Sequence, residues 1–263
     1  MEATVVSAVS DQVLVDASID ASHHGVFDDK AGDPSSSIAV SAATDVGSSR
    51  RLSVTLPVNK YYVVDPGQPE WAVQDASVAL TRLVDPDILG LSISHRVSAT
   101  IPLSEYSRDN GRRTRLGTKL SASGSVGKVR YVSGVNLRYY MNEYRTTVAT
   151  DGRGGTPLPW FSYGVSQSLA YSWHRKWVGT LSGYYSELWF EDTRESTATP
   201  WIPEHPYGVN LAASYTPHVG YAVTAGMSQG SRFEQNGRVE FVVFDTYTTT
   251  WFLTLSYSKQ LAY

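Results

Sequence analysis

The chain is built from about twelve segments in which apolar residues alternate with small or weakly polar ones. In the segment 160–174, one parity is apolar and largely aromatic, and the other consists mostly of serine, glycine and alanine. The apolar set is Phe161, Tyr163, Val165, Leu169, Tyr171 and Trp173. A period of two predicts β-strands. A half-buried strand of a soluble protein would carry charge on its second face, and this one does not.

An apolar outer face and a small or polar inner face are what a β-barrel in a membrane requires. Lipid offers no partner for backbone groups, and only a closed barrel removes the edges of the sheet. The longest apolar runs, such as Phe241–Phe244, are far shorter than the roughly 20 residues of a membrane helix. The mean hydropathy of −0.23 agrees with a barrel, because lipid-facing and inward residues average out. We therefore predict an all-β fold, a closed antiparallel transmembrane β-barrel that forms one domain over 1–263.

The connections between the segments alternate strictly between short and long. We predict twelve strands at 4–19, 37–46, 50–60, 74–84, 88–104, 113–126, 129–144, 160–174, 177–190, 207–217, 219–232 and 247–258. The short turns are Gly47-Ser48-Ser49, Asp85-Pro86-Asp87, Gly127-Lys128, Arg175-Lys176 and Pro217-His218, and the long connections are 20–36, 61–73, 105–112, 145–159, 191–206 and 233–246. Bacterial barrels have short periplasmic turns and long extracellular loops. Both termini are therefore expected on the periplasmic side.

The last segment carries a more specific signal. Trp251, Leu253, Leu255 and Tyr257 share one parity, and the chain ends at Tyr263. This pattern resembles the C-terminal signature of Gram-negative outer-membrane β-barrel proteins, in which the barrel-assembly machinery reads an alternating final strand with a terminal aromatic residue. The resemblance implies a location in the bacterial outer membrane. It also implies that outer-membrane lipid, lipopolysaccharide and the barrel-assembly machinery are partners.

The first residues carry no targeting signal. The sequence opens Met1-Glu2-Ala3, without the basic and apolar regions of a signal peptide, so we expect a mature chain. The net charge of −3 argues against a nucleic-acid binder, which would be basic.

Charged residues of inward parity predict a basic inner wall. The expected inward residues are Arg51, Arg96, Arg115, Lys119, Arg130, Arg138, Arg232, Asp16 and Asp45. Glu187 is expected to join the inward acids, although two apolar sets compete in the segment 177–190. Arg or Lys facing lipid at mid-depth costs about 2–4 kcal/mol, which favours an inward position. Two interpretations remain open: a positive field that favours anions, or ion pairs that fill the barrel.

Aromatic residues of outward parity predict the two membrane interfaces. We assign Tyr163, Trp173, Tyr207, Tyr215, Tyr221, Trp251 and Tyr257 to these belts. Among them, Tyr207 is expected on the outer side, and Trp173 and Tyr215 are expected on the periplasmic side.

The sequence contains no convincing catalytic or metal site. His95 has lipid-facing parity, but its neighbours on that face, Ile93 and Val97, supply no nucleophile. A pair of histidines, His23-His24, precedes three aspartates in the first long connection, but this spacing is not diagnostic of a metal. We therefore expect no cofactor.

The leading functional hypothesis is a porin-like passive channel for small polar, preferentially anionic, solutes. One alternative is an outer-membrane enzyme that acts on lipid or a surface polymer. Another is a non-conducting barrel whose loops bind a partner at the cell surface.

Overall fold

The computed structural model describes residues 14–26, 34–63, 69–88, 90–148, 154–190, 204–232, 234–235, 238–239 and 249–262. Twelve long strands dominate these ranges. They are β1 (Leu14–Val26), β2 (Ser35–Asp45), β3 (Arg50–Tyr61), β4 (Ala76–Ile88), β5 (Leu91–Ile101), β6 (Arg112–Val126), β7 (Val129–Asn142), β8 (Pro159–His174), β9 (Trp177–Phe190), β10 (Pro206–Tyr215), β11 (Tyr221–Arg232) and β12 (Thr249–Ala262).

Each strand pairs antiparallel with its neighbours in the chain, and the last strand closes the sheet on the first. The β1–β12 register runs from Leu14 opposite Ala262 to Val26 opposite Thr250. This pairing supplies both outermost strands with hydrogen-bond partners, which removes the edges that a membrane would leave unsatisfied. The predicted closed antiparallel barrel is confirmed.

Most strand ends lie within a few residues of the predicted ones, and two of the differences change an assignment. The segment Asp85-Pro86-Asp87, expected as a turn, lies at the end of β4, and β4 and β5 pair up to Ile88 opposite Leu91. Gly90 has φ +75°, which side-chain-bearing residues rarely adopt. The first strand is described from Leu14 to Val26 and continues past the predicted end at 19, so His23 belongs to a strand. Residues 1–13 lie outside the described ranges.

Short connections and long connections lie at opposite ends of the barrel. The residues 46–49, 127–128, 175–176 and 216–220, and the connection from β4 to β5, join strands at what we call the short-turn end. The opposite, long-loop end carries the added elements: α1 (Glu105–Asp109), the strand Trp71–Val73 paired with β3, the strands Thr146–Val148 and Gly154–Pro157, and the strands Glu234–Gln235 and Arg238–Val239. Among the described residues, no helix is long and apolar enough to cross a membrane.

The outer face is apolar along most of its height. Leu52, Leu80 and Val97 lie directly opposite one another on β3, β4 and β5, and all three are exposed. The remaining strands also carry exposed residues on this face, namely Ile19, Val40, Leu120, Val135, Val165, Leu181, Leu211, Tyr221 and Leu253. The barrel therefore presents its hydrophobic residues outward, as a protein surrounded by lipid must.

We predict that the long-loop end faces the outside of the cell. A bulky, membrane-impermeant maleimide added to intact cells should label the variant Glu70→Cys, because exposed Glu70 lies at the long-loop end. It should spare Lys128→Cys in the short turn 127–128 until the membrane is permeabilised. The unsubstituted chain has no cysteine and serves as the blank. The reverse pattern of labelling would invert the orientation.

Candidate functional site

Strand register gathers four cationic side chains on the inner face of β5, β6 and β7. Arg96 lies directly opposite Lys119. Arg138 lies opposite Gly117, and Arg115 lies between Thr100 and Tyr140. Residues directly opposite in an antiparallel pair point to the same face of the sheet, about 5 Å apart. Three strands that are contiguous in sequence therefore build one positively charged surface, which we call the basic wall: Arg96, Arg115, Lys119 and Arg138.

The basic wall borders a cavity of about 620 Å³ inside the barrel. The remaining lining is mainly small and hydroxylic and includes Ser77, Ser98, Thr100, Ser166 and Tyr184. Among the residues that the structure describes, no carboxylate belongs to this lining. Within the part of the chain that the structure describes, none of the four cations forms an ion pair. The cavity is therefore a polar space with an uncompensated positive wall.

Glycine makes room for this wall. A Cβ on Gly134 would come within 2.8 Å of Lys119 Cε, and one on Gly117 within 2.7 Å of Ser98 Oγ. Both glycines sit at inward positions of β6 and β7, where a side chain would displace these neighbours. The two glycines thus keep the lumen wide enough beside Lys119 and Ser98.

The other cations expected inside have different surroundings. Arg51 contacts both Asp16 and Asp45, so its charge is compensated, and these acids do not reach the basic wall. Arg130 lies opposite Ser125 and Ala170, close to the short-turn end, and does not line the cavity. The backbone of Arg232 pairs with Pro206, and its side chain lies outside the described part of the structure.

A second cavity of about 510 Å³ has a different charge. Inward residues of β1, β2 and β9 to β12 line it, including Asp20, His24, Asn210 and Phe252. The described part of its lining contains a carboxylate but no lysine or arginine. The inner surface is therefore divided into the cationic wall of β5 to β7 and a neutral to acidic region across β1, β2 and β9 to β12.

At the long-loop end, Asp75 holds the loop that carries α1. The Asp75 carboxylate accepts hydrogen bonds from the backbone N–H groups of Leu103 (3.2 Å) and Ser104 (3.0 Å), and from the hydroxyls of Ser104 (2.7 Å) and Ser107 (2.6 Å). Ser104 also caps α1 by accepting from the Ser107 N–H. One acidic side chain thus fixes both the approach to the helix and its first turn.

These hydrogen bonds determine the ionisation of Asp75. Partial burial acts to raise the pKa of its carboxyl, but the hydrogen bonds from Ser107 and Ser104 outweigh it, with a further contribution from the Arg112 guanidinium. The pKa of Asp75 therefore lies below its ordinary value.

Arg112 joins this loop to the lumen. Its guanidinium carbon lies 5.7 Å from the ring centroids of both Tyr106 in α1 and Tyr140 in the cavity lining. Such distances permit cation–π attraction. The loop held by Asp75 is therefore packed beside the long-loop mouth of the positively charged cavity.

The outer wall carries a polar cluster that sequence analysis missed. Tyr163 Oη donates to Glu187 Oε2 at 2.5 Å, and Tyr185 Oη lies 3.0 Å from His205 Nδ1, which is 3.9 Å from Glu187 Oε2. Glu187 lies opposite Tyr163, which in turn lies opposite the exposed Leu137. The inward assignment of Glu187 is therefore wrong. Two apolar sets compete in β9, and only the register with β8 selects the outward one.

The remaining histidines have structural contacts. His95 is on the outer face, where its Nε2 lies 2.7 Å from Thr118 Oγ1. His23 Nδ1 lies 2.9 Å from Ser36 Oγ. The aspartates that follow His23-His24 in the sequence lie outside the described residues. No group of three metal-ligating side chains occurs among the residues that are described.

Most residues assigned to aromatic belts lie on the outer face. At the short-turn end, Trp173 stacks on Trp177 at 6.2 Å, and Trp177 lies 4.7 Å from Tyr215. Tyr221 lies 4.8 Å from Tyr257.

Nearer the long-loop end are Tyr163, Tyr207 and Trp251. Tyr207 differs from the expectation for an interface residue because its side chain is only 3% exposed.

Comparison with known proteins shows similarity in fold to solved structures. No protein-family model and no curated protein matches the sequence. Among solved structures, the chain is similar to an outer membrane channel from Pseudomonas putida F1, with a TM-score of 0.61 and 11% identity over 99% of this chain and 100% of the other. It is also similar to the NanC porin (TM-score 0.55, 11% identity, 92% and 98% covered) and the KdgM porin (0.50, 11%, 91% and 98%). The chain therefore has the fold of outer-membrane β-barrels.

We predict that the α1 loop loosens in acid. The pKa of Asp75 is lower in the folded chain than in the unfolded chain, where it is about 3.9. The stabilisation is therefore present above the unfolded value and is lost as the pH falls through the folded value. The variant Asp75→Asn should reduce hydrogen-exchange protection of 102–111 at neutral pH, and the difference from the parent should vanish in acid.

Exposed Asp109, at the end of α1, provides the matched control Asp109→Asn. It removes one negative charge from the same loop without touching these hydrogen bonds, and protection should persist. A deficit in Asp75→Asn that is equally large at acidic pH would contradict the role of the carboxylate.

Proposed function

We propose that this chain is a passive channel of the bacterial outer membrane for small polar solutes, with a preference for anions. The observation that carries the proposal is the cavity of about 620 Å³, which four cations line, with no carboxylate among the described residues of its lining. Filling the barrel with ion pairs would require acids beside these cations. The inward acids Asp16 and Asp45 contact Arg51 instead.

The arrangement of the cations supports an anion preference. Arg96 and Lys119 lie directly opposite each other, a position where like charges destabilise a sheet. Water and entering anions reduce that repulsion, whereas a cation entering the cavity increases it. Rings or walls of basic residues select anions in pores through the same field. The low dielectric of the barrel wall strengthens that field inside the lumen.

The similar structures support the coarse part of the proposal. The three comparison proteins are described as a channel and as porins. Because the sequence identity is 11%, the anion preference rests on the residues of this chain alone. In the same proposal, the short turns and both termini face the periplasm, lipopolysaccharide surrounds the outer half, and the barrel-assembly machinery recognises β12.

We predict that the refolded chain conducts in planar bilayers and prefers chloride to potassium at low salt. The preference should weaken as salt rises, because the screening length falls from about 30 Å at 0.01 M to about 3 Å at 1 M. The variant Arg96→Gln/Arg138→Gln removes two of the four cations and should move the reversal potential in a salt gradient substantially toward zero. Conductance should persist, because polar inward residues leave the fold intact.

The control Lys60→Gln/Lys259→Gln also removes two positive charges, but from the outer face, because both lysines have outward register. Its reversal potential should match that of the parent. Absence of conductance in the folded parent chain would reject the channel and favour a surface-binding barrel. Equal selectivity in all three proteins would reject the basic wall as its source.

One feature favours an enzyme over a channel. It is the outer-wall cluster of Tyr163, Tyr185, Glu187 and His205. It places a carboxylate, an imidazole and two phenols together on the face that meets lipid. A lipid-side hydrolase needs a base within reach of a nucleophile. Here the hydroxyl within 3.0 Å of the imidazole is the phenol of Tyr185, which is a weak nucleophile at neutral pH.

We therefore predict that the purified chain releases no fatty acid from phospholipid or lipopolysaccharide, as measured by mass spectrometry of the extracted lipid. The variant His205→Ala identifies the source of any release. Release by the parent that His205→Ala abolishes would establish the enzyme function, whereas release that survives the substitution would indicate a contaminant.

A further inference from the structure

A row of basic residues crosses the outer face near the short-turn end. Arg50 on β3 lies directly opposite Arg82 on β4, and Arg82 lies directly opposite His95 on β5. Opposite residues share a face, and the same face two residues further along carries the exposed Leu52, Leu80 and Val97. The three basic side chains therefore point outward. We call them the outer basic row.

Arg50 lies at the short-turn boundary of the apolar surface, and Arg82 and His95 lie further along the neighbouring strands, two residues from the outward Val84 and Ile93. Arg50 is the first residue of β3, directly after the short connection 46–49. Charge near the membrane interface costs about 0–1 kcal/mol, against about 2–4 kcal/mol at the midplane. The flexible stems of the arginines extend their charged groups toward the headgroups. Arg50 is therefore placed at the level of the lipid phosphates, and the flexible stem of Arg82 lets its guanidinium extend to the same level.

Among the described side chains, no carboxylate contacts this row. Arg50 and Arg82 are exposed, and among the described residues neither forms an ion pair or a side-chain hydrogen bond. His95 directs Nε2 to Thr118 Oγ1. Two guanidinium groups on directly opposite residues repel each other at a separation of about 5 Å between their Cβ atoms. An anion between them would turn that repulsion into attraction.

We propose that the outer basic row binds the phosphate of an anionic phospholipid in the leaflet that surrounds the short-turn end. Arginine pairs with phosphate through two parallel N–H···O bonds, so Arg50 and Arg82 can hold one phosphate from two sides. A headgroup with its own ammonium group would bring a further positive charge to an already cationic site. A phosphodiester without a cation, as in phosphatidylglycerol, fits the charge of the row best.

This proposal rests on the proposed membrane location of the barrel, but not on conduction through its lumen. The row and the basic wall occupy opposite faces of the same sheet. A chain that fails to conduct can still show the lipid effect, and a chain that conducts can lack it. The two proposals therefore fail separately.

The test measures the thermal unfolding midpoint of the full chain in phosphatidylcholine vesicles and in vesicles that also contain phosphatidylglycerol. The parent midpoint should rise with phosphatidylglycerol. In Arg50→Gln/Arg82→Gln that rise should be lost. In phosphatidylcholine alone this variant should be at least as stable as the parent, because the repulsion between the arginines is gone. Loss of the rise together with undiminished stability in phosphatidylcholine distinguishes a lipid site from a general loss of stability.

Two further variants make the result specific. Lys60→Gln/Lys259→Gln removes two separate outward cations and should keep the full rise, which excludes an effect of net charge. Arg50→Lys/Arg82→Lys keeps the charge without the paired donors and should keep only part of it. A full rise in Arg50→Gln/Arg82→Gln would overturn the proposal. A rise of the same size from inorganic phosphate in phosphatidylcholine vesicles would also overturn it, because the ligand would then be the free ion.

Discussion

Every feature of this protein depends on the closed ladder of hydrogen bonds between its strands. A sheet in lipid cannot leave backbone groups unpaired, because each unsatisfied group costs several kcal/mol. Pairing of β1 with β12 removes the last two edges. Once the ladder is closed, alternate residues of each strand must face either lipid or the lumen. Stability of the barrel therefore requires an apolar outside, and the inside is free to carry polar chemistry.

Each face of the sheet carries a pair of like charges, and the two pairs lie in different environments. Arg96 and Lys119 face each other toward the lumen, where water can hydrate them. Arg50 and Arg82 face each other on the outer surface, where hydration ends at the headgroups. Cross-strand repulsion between like charges thus occurs both in the aqueous lumen and on the surface that faces lipid. In the lumen it establishes a field that acts on passing solutes, and on the outside it marks a position for a bound anion.

The loops add a separate layer of organisation at one end. Asp75 receives four hydrogen bonds from the segment around α1, and Arg112 lies between an aromatic ring of that segment and one of the cavity. This arrangement links a loop outside the apolar band to the mouth of the lumen. The barrel supplies a rigid frame, and the Asp75 hydrogen bonds fix one loop on it.

Sequence alone determined the fold class, the number of strands and the alternation of short and long connections. Alternation is a local property, since neighbouring residues of a strand must face opposite sides. The inward parity of Arg96, Lys119 and Arg138 follows from the same rule, because the lipid face excludes charge at mid-depth. Where the apolar parity was ambiguous, as around Glu187, this local rule gave the wrong face.

Only the tertiary structure decided which residues meet. The register between strands brings Arg51 to Asp16 across 35 positions of sequence and separates both from the basic wall. It also placed Arg50 opposite Arg82, Glu187 beside Tyr163, and Asp75 beside Ser107. These contacts depend on how each strand is shifted against its neighbour. That shift is fixed by turns and by closure of the whole sheet, so no single segment of the sequence encodes it.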